Sequence, residues 1–310
     1  MSDPFLSEFC YMNTALVTGA SGFTGRYMVS ALKTRGYRVV GFGSPDYGAD
    51  LCLSVDLTDA EAVRIAIHQV QPTHVVHLAG IAFVGHGKPD DFYQVNLFGT
   101  LNLLSALVEL PKPPRVLIAS SANIYGTPDT EVIDESVCPA PVNHYATSKL
   151  AMEHMAYTYF DRCSMVIARP FNYTGVGQTE QFLIPKIVGH FKRKVPVIEL
   201  GNLDVSRDFS DVRDTVDAYV TLLESDAHSQ AVNVCSGRAI ALRTVLGEVG
   251  RLAGYDIEVR VNPAFVRANE ISVLRGSRAR LESLVDCSKP RHLEETLAWM
   301  YASDPVGNAS

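Results

Sequence analysis

Tyr145 and Lys149 stand four residues apart in a run, Tyr145-Ala146-Thr147-Ser148-Lys149, that reads as helix, so their side chains share one face. A free phenol ionises near pH 10, and bringing it to neutrality takes roughly 3 units, about 4 kcal/mol. An ammonium within a few ångströms supplies roughly 1–3 of those units, and an oxidised nicotinamide adds to it. Ser121 ends the apolar run that begins at Arg115 and offers a hydroxyl to the same oxygen. Together the three suit proton exchange with a carbinol or carbonyl lying beside a hydride carrier.

Such chemistry needs a dinucleotide site, and the chain supplies one candidate. Thr18-Gly19-Ala20-Ser21-Gly22-Phe23-Thr24-Gly25 follows the β-leaning run Ala15-Leu16-Val17 and opens an amphipathic helical run from Arg26 to Arg35. Glycines let the backbone turn tightly, and the first free N–H groups of the helix face an anion at the positive end of its dipole. The spacing is G-x-x-G-x-x-G, at Gly19, Gly22 and Gly25, rather than the commoner G-x-G-x-x-G.

The elements that must position these groups alternate along the chain. Strands are predicted at Arg38–Phe42, His74–Gly80, Arg115–Ser121 and Met165–Ala168, with helices at Asp59–Gln69, Asp91–Val108 and Tyr145–Phe160. Gly36 stops the first helix and Thr58 is the predicted N-cap of the second. Apolar strands alternating with helices predict an α/β fold, a doubly wound parallel sheet whose ligands bind beyond the strands' C-terminal ends. After Pro170 the regularity degrades, which predicts a smaller mixed α/β substrate lobe. The expected division is therefore a dinucleotide-binding domain over 13–170, with some later segments returning to it, and a lobe over 171–305. Residues 1–12 form an extension.

A formal charge of −7 argues against nucleic acid as a partner. No apolar run approaches bilayer length, and Met1 to Met12 carry no basic charge or cleavage-like site. Six cysteines without a C-x-x-C favour free thiols in a reducing compartment, so a cytoplasmic protein with no membrane association is expected. His74 and His77, three apart on a strand, face opposite ways, and no metal site is expected.

From about Thr14 to Tyr301 the chain resembles the extended short-chain dehydrogenase/reductases, in their nucleotide-sugar branch. The matching marks are the glycine loop, Asp56-Leu57, His77-Leu78-Ala79-Gly80, Asn96, Ser121, the Tyr145/Lys149 pair and Arg169-Pro170-Phe171-Asn172. The resemblance implies a coenzyme site over Gly19, Gly22, Phe23, Thr24, Gly25, Asp56, Leu57, Leu78, Ala79, Gly80, Asn96, Tyr145, Lys149 and Pro170, with Asp56 and Leu57 flanking the adenine. It makes Ser121, Tyr145 and Lys149 the catalytic set and brings Asn172 to the sugar. In this branch the paired helices around Asn96–Leu107 and Tyr145–Phe160 usually form a dimer, which implies a homodimer.

Within the branch, 4,6-dehydratases keep acids after the catalytic hydroxyl, where this chain has Ala122 and Asn123. Neither can exchange a proton in an elimination, so dehydration is disfavoured and Asn123 is expected to position a sugar. Val205-Ser206-Arg207-Asp208-Phe209, Asn233-Val234-Cys235-Ser236-Gly237, Arg267-Ala268-Asn269-Glu270 and Leu274-Arg275-Gly276-Ser277 resemble the nucleotide clamp of GDP-sugar enzymes. Arg207 and Arg275 suit a diphosphate and Glu270 a ribose. The resemblance thus implies NAD(P)H-dependent reduction of a GDP-linked 4-keto-6-deoxy sugar, as in the reductases of GDP-4-keto-6-deoxy-D-mannose. The alternatives are a 4-epimerase with bound NAD, or a reductase that acts on a related GDP-4-keto-6-deoxy heptose or gives the talose epimer. The second strand runs into Gly43 and Ser44 where NAD enzymes place an acid, which favours NADP(H) over NAD(H), with Arg26 or Arg35 placed to meet a 2′-phosphate.

Overall fold

The computed structural model describes residues 13–44, 48–83, 88–265 and 273–304. In chain order the strands are β1 (Thr14–Thr18), β2 (Arg38–Phe42), β3 (Leu51–Leu53), β4 (His74–His77), β5 (Arg115–Ala119), β6 (Val132–Ile133), β7 (Met165–Pro170) and β8 (Asn172–Thr174). They continue with β9 (Val197–Leu200), β10 (Ser206–Asp211), β11 (Gln230–Val234), β12 (Ala239–Ala241), β13 (Glu258–Val261) and β14 (Val273–Gly276). The helices are α1 (Phe23–Thr34), α2 (Ala60–Val70), α3 (Pro89–Phe92), α4 (Gly99–Leu107), α5 (His144–Tyr157), α6 (Leu183–Lys192), α7 (Val212–Glu224), α8 (Leu242–Ala253), α9 (Ala279–Leu284) and α10 (Leu293–Ala302).

Seven strands in the order β11-β7-β5-β4-β1-β2-β3 form one sheet, and every pairing in it is parallel. Its central strands are continuous apolar runs because both faces are covered. On one face Met28, Leu32, Tyr219 and Leu222 of α1 and α7 pack on Val17, Leu117 and Val166. On the other, Ile67, Leu103, Leu107 and Met152 of α2, α4 and α5 pack on Leu16, Ile118 and Ile167. Leu117 is fully buried, and truncating such a side chain to alanine costs about 2–5 kcal/mol. The chain order reverses between β1 and β4, so a crevice opens beyond their C-terminal ends.

A second, mixed sheet in the order β12-β10-β14-β6, with β8 also pairing β10, draws every strand but β6 from after β7, as does a two-stranded ribbon of β9 and β13. A third core cluster includes Ile187, Phe191, Val249 and Leu297 of α6, α8 and α10. Two elements return to the main sheet: β11 pairs with β7, and α7 packs beside α1.

Two local expectations are corrected. The single helix predicted over 91–108 is three pieces: α3, a π-helical turn over Tyr93–Phe98, and α4. The N-cap of α2 is Asp59, whose carboxylate accepts from the Glu61 and Ala62 N–H groups. Thr58 instead donates its hydroxyl to Asp56 Oδ1 at 2.8 Å.

Candidate active site

The ends of β1, β4, β5 and β7 border a cleft of about 500 Å³. Thirteen of the predicted positions line it: Gly19, Gly22, Phe23, Thr24, Gly25, Leu78, Gly80, Ser121, Asn123, Tyr145, Lys149, Pro170 and Asn172. Among the described residues Lys149 is the sole charged side chain on that lining, and no carboxylate joins it. Sequence reasoning missed Phe83, Tyr173, Gln178, Phe182 and Phe209, which also line it. Phe83, Gln178 and Phe182 lie between strands and helices, and Tyr173 and Phe209 lie on β8 and β10.

The catalytic candidates are fixed from several directions. Asn143 caps α5 through the Ala146 N–H, which sets the helix one residue before Tyr145. Ser121 lies two residues beyond β5 and caps a short 3₁₀ turn at Ala122–Tyr125; its Oγ accepts from both the backbone N–H and the side-chain amide of Asn123, each at 3.1 Å. Lys149 Nζ donates to the Ala119 carbonyl at 2.8 Å. Burial pushes the Tyr145 phenol up to about 12, and hydrogen bonding from Ser121 pulls the other way. The depression expected from Lys149 therefore does not govern this phenol; burial does. Burial also lowers Lys149 to about 8, against the nearby carboxylate of Glu153.

Glu153 lies one turn beyond Lys149 and is wholly buried. Arg169 closes on it as a fork, Nε to Oε1 at 3.0 Å and Nη2 to Oε2 at 2.6 Å, and passes a third donor to the Tyr125 hydroxyl at 2.9 Å. Tyr125 in turn donates to Asn233 Oδ1 at 2.8 Å. Arg169, read from the sequence only as part of a motif, thus anchors the helix that carries the candidate pair Tyr145 and Lys149.

Asn96 sits in the π turn, fully buried. Its Oδ1 accepts from the Ile81 N–H at 2.8 Å, and its Nδ2 donates to the Ile81 carbonyl at 3.2 Å and to Ser148 Oγ at 3.0 Å. It therefore joins the loop after β4 to α5 next to Lys149. Behind it runs a directed chain. Ala79 N–H donates to Thr18 Oγ1, which meets His77 Nδ1 at 2.7 Å. His77 Nε2 meets Thr100 Oγ1 at 2.8 Å, and Thr100 donates to the Asn96 carbonyl at 2.7 Å. Because a carbonyl only accepts, Thr100 spends its proton there, so His77 donates from Nε2 and accepts at Nδ1. Burial holds this imidazole neutral, lowered to about 3.

Other predicted residues stand apart from the cleft. Asp56 is exposed and closes its own turn onto Thr58, while Leu57 is buried in the core beneath α4. Arg207 and Arg275 lie on the neighbouring strands β10 and β14, outside the lining. Between them in sequence motif is the residue that organises this region: buried Asp208 accepts from Ser236 N and Oγ at 2.8 and 2.6 Å, Gly237 N at 2.9 Å and Gly276 N at 3.2 Å. Glu270 lies outside the described residues. Arg35, at the far end of α1, is paired with Glu224 and does not reach the glycine loop, whereas Arg26 donates from Nε to Ser21 O at 3.2 Å.

The glycine loop fits a dinucleotide. Gly19 has φ +70°, and a Cβ there would fall 2.9 Å from Ala79 N; one on Gly25 would fall 2.1 Å from Gly19 O. No side chain caps α1, so its first turn presents backbone donors towards the cleft.

The sequence profile of the NAD-dependent epimerase/dehydratase family matches residues 15–235. The chain belongs to that family. This family member is similar to a GDP-6-deoxy-D-talose 4-dehydrogenase of Aggregatibacter actinomycetemcomitans, 36% identical over 86% of this chain and 89% of the relative. It is also similar to a GDP-6-deoxy-D-mannose reductase of Pseudomonas aeruginosa, 33% identical over 86% and 88%. Among solved structures, RMD from Pseudomonas aeruginosa complexed with NADPH superposes with a TM-score of 0.82 at 30% identity, covering 94% and 96% of the two chains. A Burkholderia cenocepacia protein provisionally assigned as an epimerase gives 0.88 at 49% identity, covering 93% and 97%. The family member is an NAD(P)-dependent enzyme of extended short-chain dehydrogenase/reductase type. Among its described residues no helix is long and apolar enough to cross a membrane.

Proposed function

We propose that the protein reduces the C4 ketone of a GDP-linked 4-keto-6-deoxy sugar, with GDP-4-keto-6-deoxy-D-mannose as substrate and GDP-D-rhamnose as product. The observation that carries this reading is the cleft lining: Ser121, Tyr145 and Lys149 meet there with Asn123, and no carboxylate is among the described lining residues. A carboxylate-free lining suits proton delivery to a ketone and gives an elimination nothing to work with. The two GDP-sugar relatives support the choice of substrate.

A reduced nicotinamide supplies the hydride when bound. Tyr145, kept protonated at neutral pH by burial, gives its proton to the oxygen developing at C4. Ser121 has both lone-pair positions occupied by Asn123, so it serves that oxygen as a donor. Lys149 contributes positive charge beneath the phenol and a hydrogen bond to the coenzyme ribose. Asn172 faces the sugar, and Arg207, Arg275 and Glu270 bind the nucleotide beyond the cleft.

The NADPH preference rests on Gly43 and Ser44 after β2 and on Arg26 beside Ser21. A homodimer through α4 and α5 fits Phe98 and Met155, which are exposed at 48% and 41%. Free thiols at the described cysteines fit a reducing compartment such as the cytoplasm. The epimerase similarities favour a 4-epimerase as the second reading.

The purified protein is incubated with NADPH, then NADH, and enzymatically generated GDP-4-keto-6-deoxymannose, and the product is identified by NMR. Stoichiometric coenzyme oxidation with a GDP-6-deoxyhexose product is expected, the C4 signal separating rhamnose from talose. Tyr145→Phe is expected to slow turnover roughly 10²–10⁴-fold. No oxidation, with NAD released on denaturation, would replace the reductase by the epimerase.

A further inference from the structure

Thr24 and Tyr173 come from different elements that border the cleft, α1 and β8, and are bonded to each other. Thr24 lies in the first turn of α1, where the coenzyme diphosphate is expected, and Tyr173 lies on β8 directly after Asn172. Their hydroxyls are 2.8 Å apart. The Tyr173 ring stacks on Phe23, with centroids 6.1 Å apart and planes 12° apart. All of these side chains border the cleft. A second fastening runs the same way, from the Tyr27 hydroxyl to the Val176 carbonyl at 2.6 Å. The segment that receives both is itself folded as a unit: Gln178 donates to the Tyr173 carbonyl at 3.2 Å and accepts from Thr174 Oγ1 at 2.8 Å.

We propose that the Thr24–Tyr173 hydrogen bond couples coenzyme binding to nucleotide-sugar binding, each ligand strengthening the other through this contact. This rests on the reductase reading for the identity of the two ligands. A ligand on the first turn of α1 fixes Thr24; a ligand against Asn172 and the segment after it fixes Tyr173. The bond already joins the two, so a ligand that restrains one half restrains the other, and the second ligand to arrive meets a segment already held. The effect is reciprocal by linkage and has the size of one neutral hydrogen bond, about five-fold in affinity. Tyr173 is thus a positioning residue that acts through the glycine loop as well as through Asn172.

Calorimetry of GDP-mannose binding, with and without saturating NADPH, tests this without turnover, because GDP-mannose carries the sugar but no ketone. Wild-type protein is expected to bind GDP-mannose about five-fold more tightly when NADPH is present. Tyr173→Phe keeps the stack and loses the hydroxyl; it should reduce the enhancement to less than about two-fold. Thr24→Val should do the same, and the double variant should lose no more than either single one. Thr24→Val reports on the same bond from its other end, so the test survives a Tyr173 variant that does not fold. Retention of the full enhancement in a folded variant that binds NADPH overturns the coupling and leaves the reductase reading standing. Failure of wild-type protein to bind NADPH or GDP-mannose removes that reading, and the coupling with it.

Discussion

Asn123 gives both its backbone N–H and its amide N–H to Ser121 Oγ, each at 3.1 Å. With both lone-pair positions taken, the serine can only donate to a further oxygen. At neutral pH an aspartate here keeps the backbone donor but turns the side chain from donor to acceptor. The serine proton then swings towards the carboxylate. Asn123→Asp is expected to lower kcat at least about ten-fold with little change in coenzyme KM, whereas a residue that only touches sugar would move substrate KM alone. Steady-state kinetics in both ligands separates the two.

The same groups predict how reduction depends on pH. Tyr145, at about 12, stays protonated throughout the working range, so it does not limit the reductive direction. Lys149, lowered to about 8 by burial, is charged below that value and loses its charge as pH rises through it. Reductive kcat/KM should be flat from about pH 6 to 7.5 and fall above about 8 with a one-proton slope. Lys149→Arg keeps its charge to far higher pH, and any residual activity it shows should lack that fall.

Arg169 and Glu153 form a fork that is buried from solvent. Removing one member of such a pair costs about 3–5 kcal/mol because the other charge is stranded. Glu153→Ala should unfold at markedly lower urea concentration than wild type, and Arg169→Met/Glu153→Leu together should recover much of the loss. A single variant within 1 kcal/mol of wild type would show that the pair is not what holds α5.

His77 predicts an acid limit to stability. Its native value of about 3 lies below the ordinary 6.5, so between them the unfolded chain binds a proton that the folded one refuses. The stabilisation is complete above about 6.5 and is lost as pH falls towards 3, at most about 1.4 kcal/mol per pH unit from this group. Denaturant titrations across that window, on wild type and His77→Gln, should show a shallower slope in the variant.

The sequence made the reactive pair legible because i, i+4 spacing places side chains without reference to the rest of the fold. The parallel sheet was equally legible from its unbroken apolar strands. The π turn was not: an extra residue in one turn leaves hydrophobic periodicity nearly unchanged, yet it is the turn that carries Asn96. In Val205-Ser206-Arg207-Asp208-Phe209 the arginine attracted attention by its chemistry, while Asp208 proved the organising residue. Its partners are backbone N–H groups 28 and 68 positions away, which no local pattern announces. Asp56 shows the converse, its carboxylate being used within its own turn.

The return of α7 and β11 to the main sheet has a consequence for modularity. Tyr219, Leu222 and Leu223, which help cover one face of that sheet, are encoded after β8 and β10 have begun the neighbouring one. A chain ended after Pro170 would keep the glycine loop and the reactive pair but lose α7 from beside α1 over Val17, Leu117 and Val166, and β11 from the edge of the sheet. No single cut yields a self-sufficient coenzyme half. Any shuffling of this architecture between genes must carry the sugar-facing segments along as an insert within the coenzyme fold.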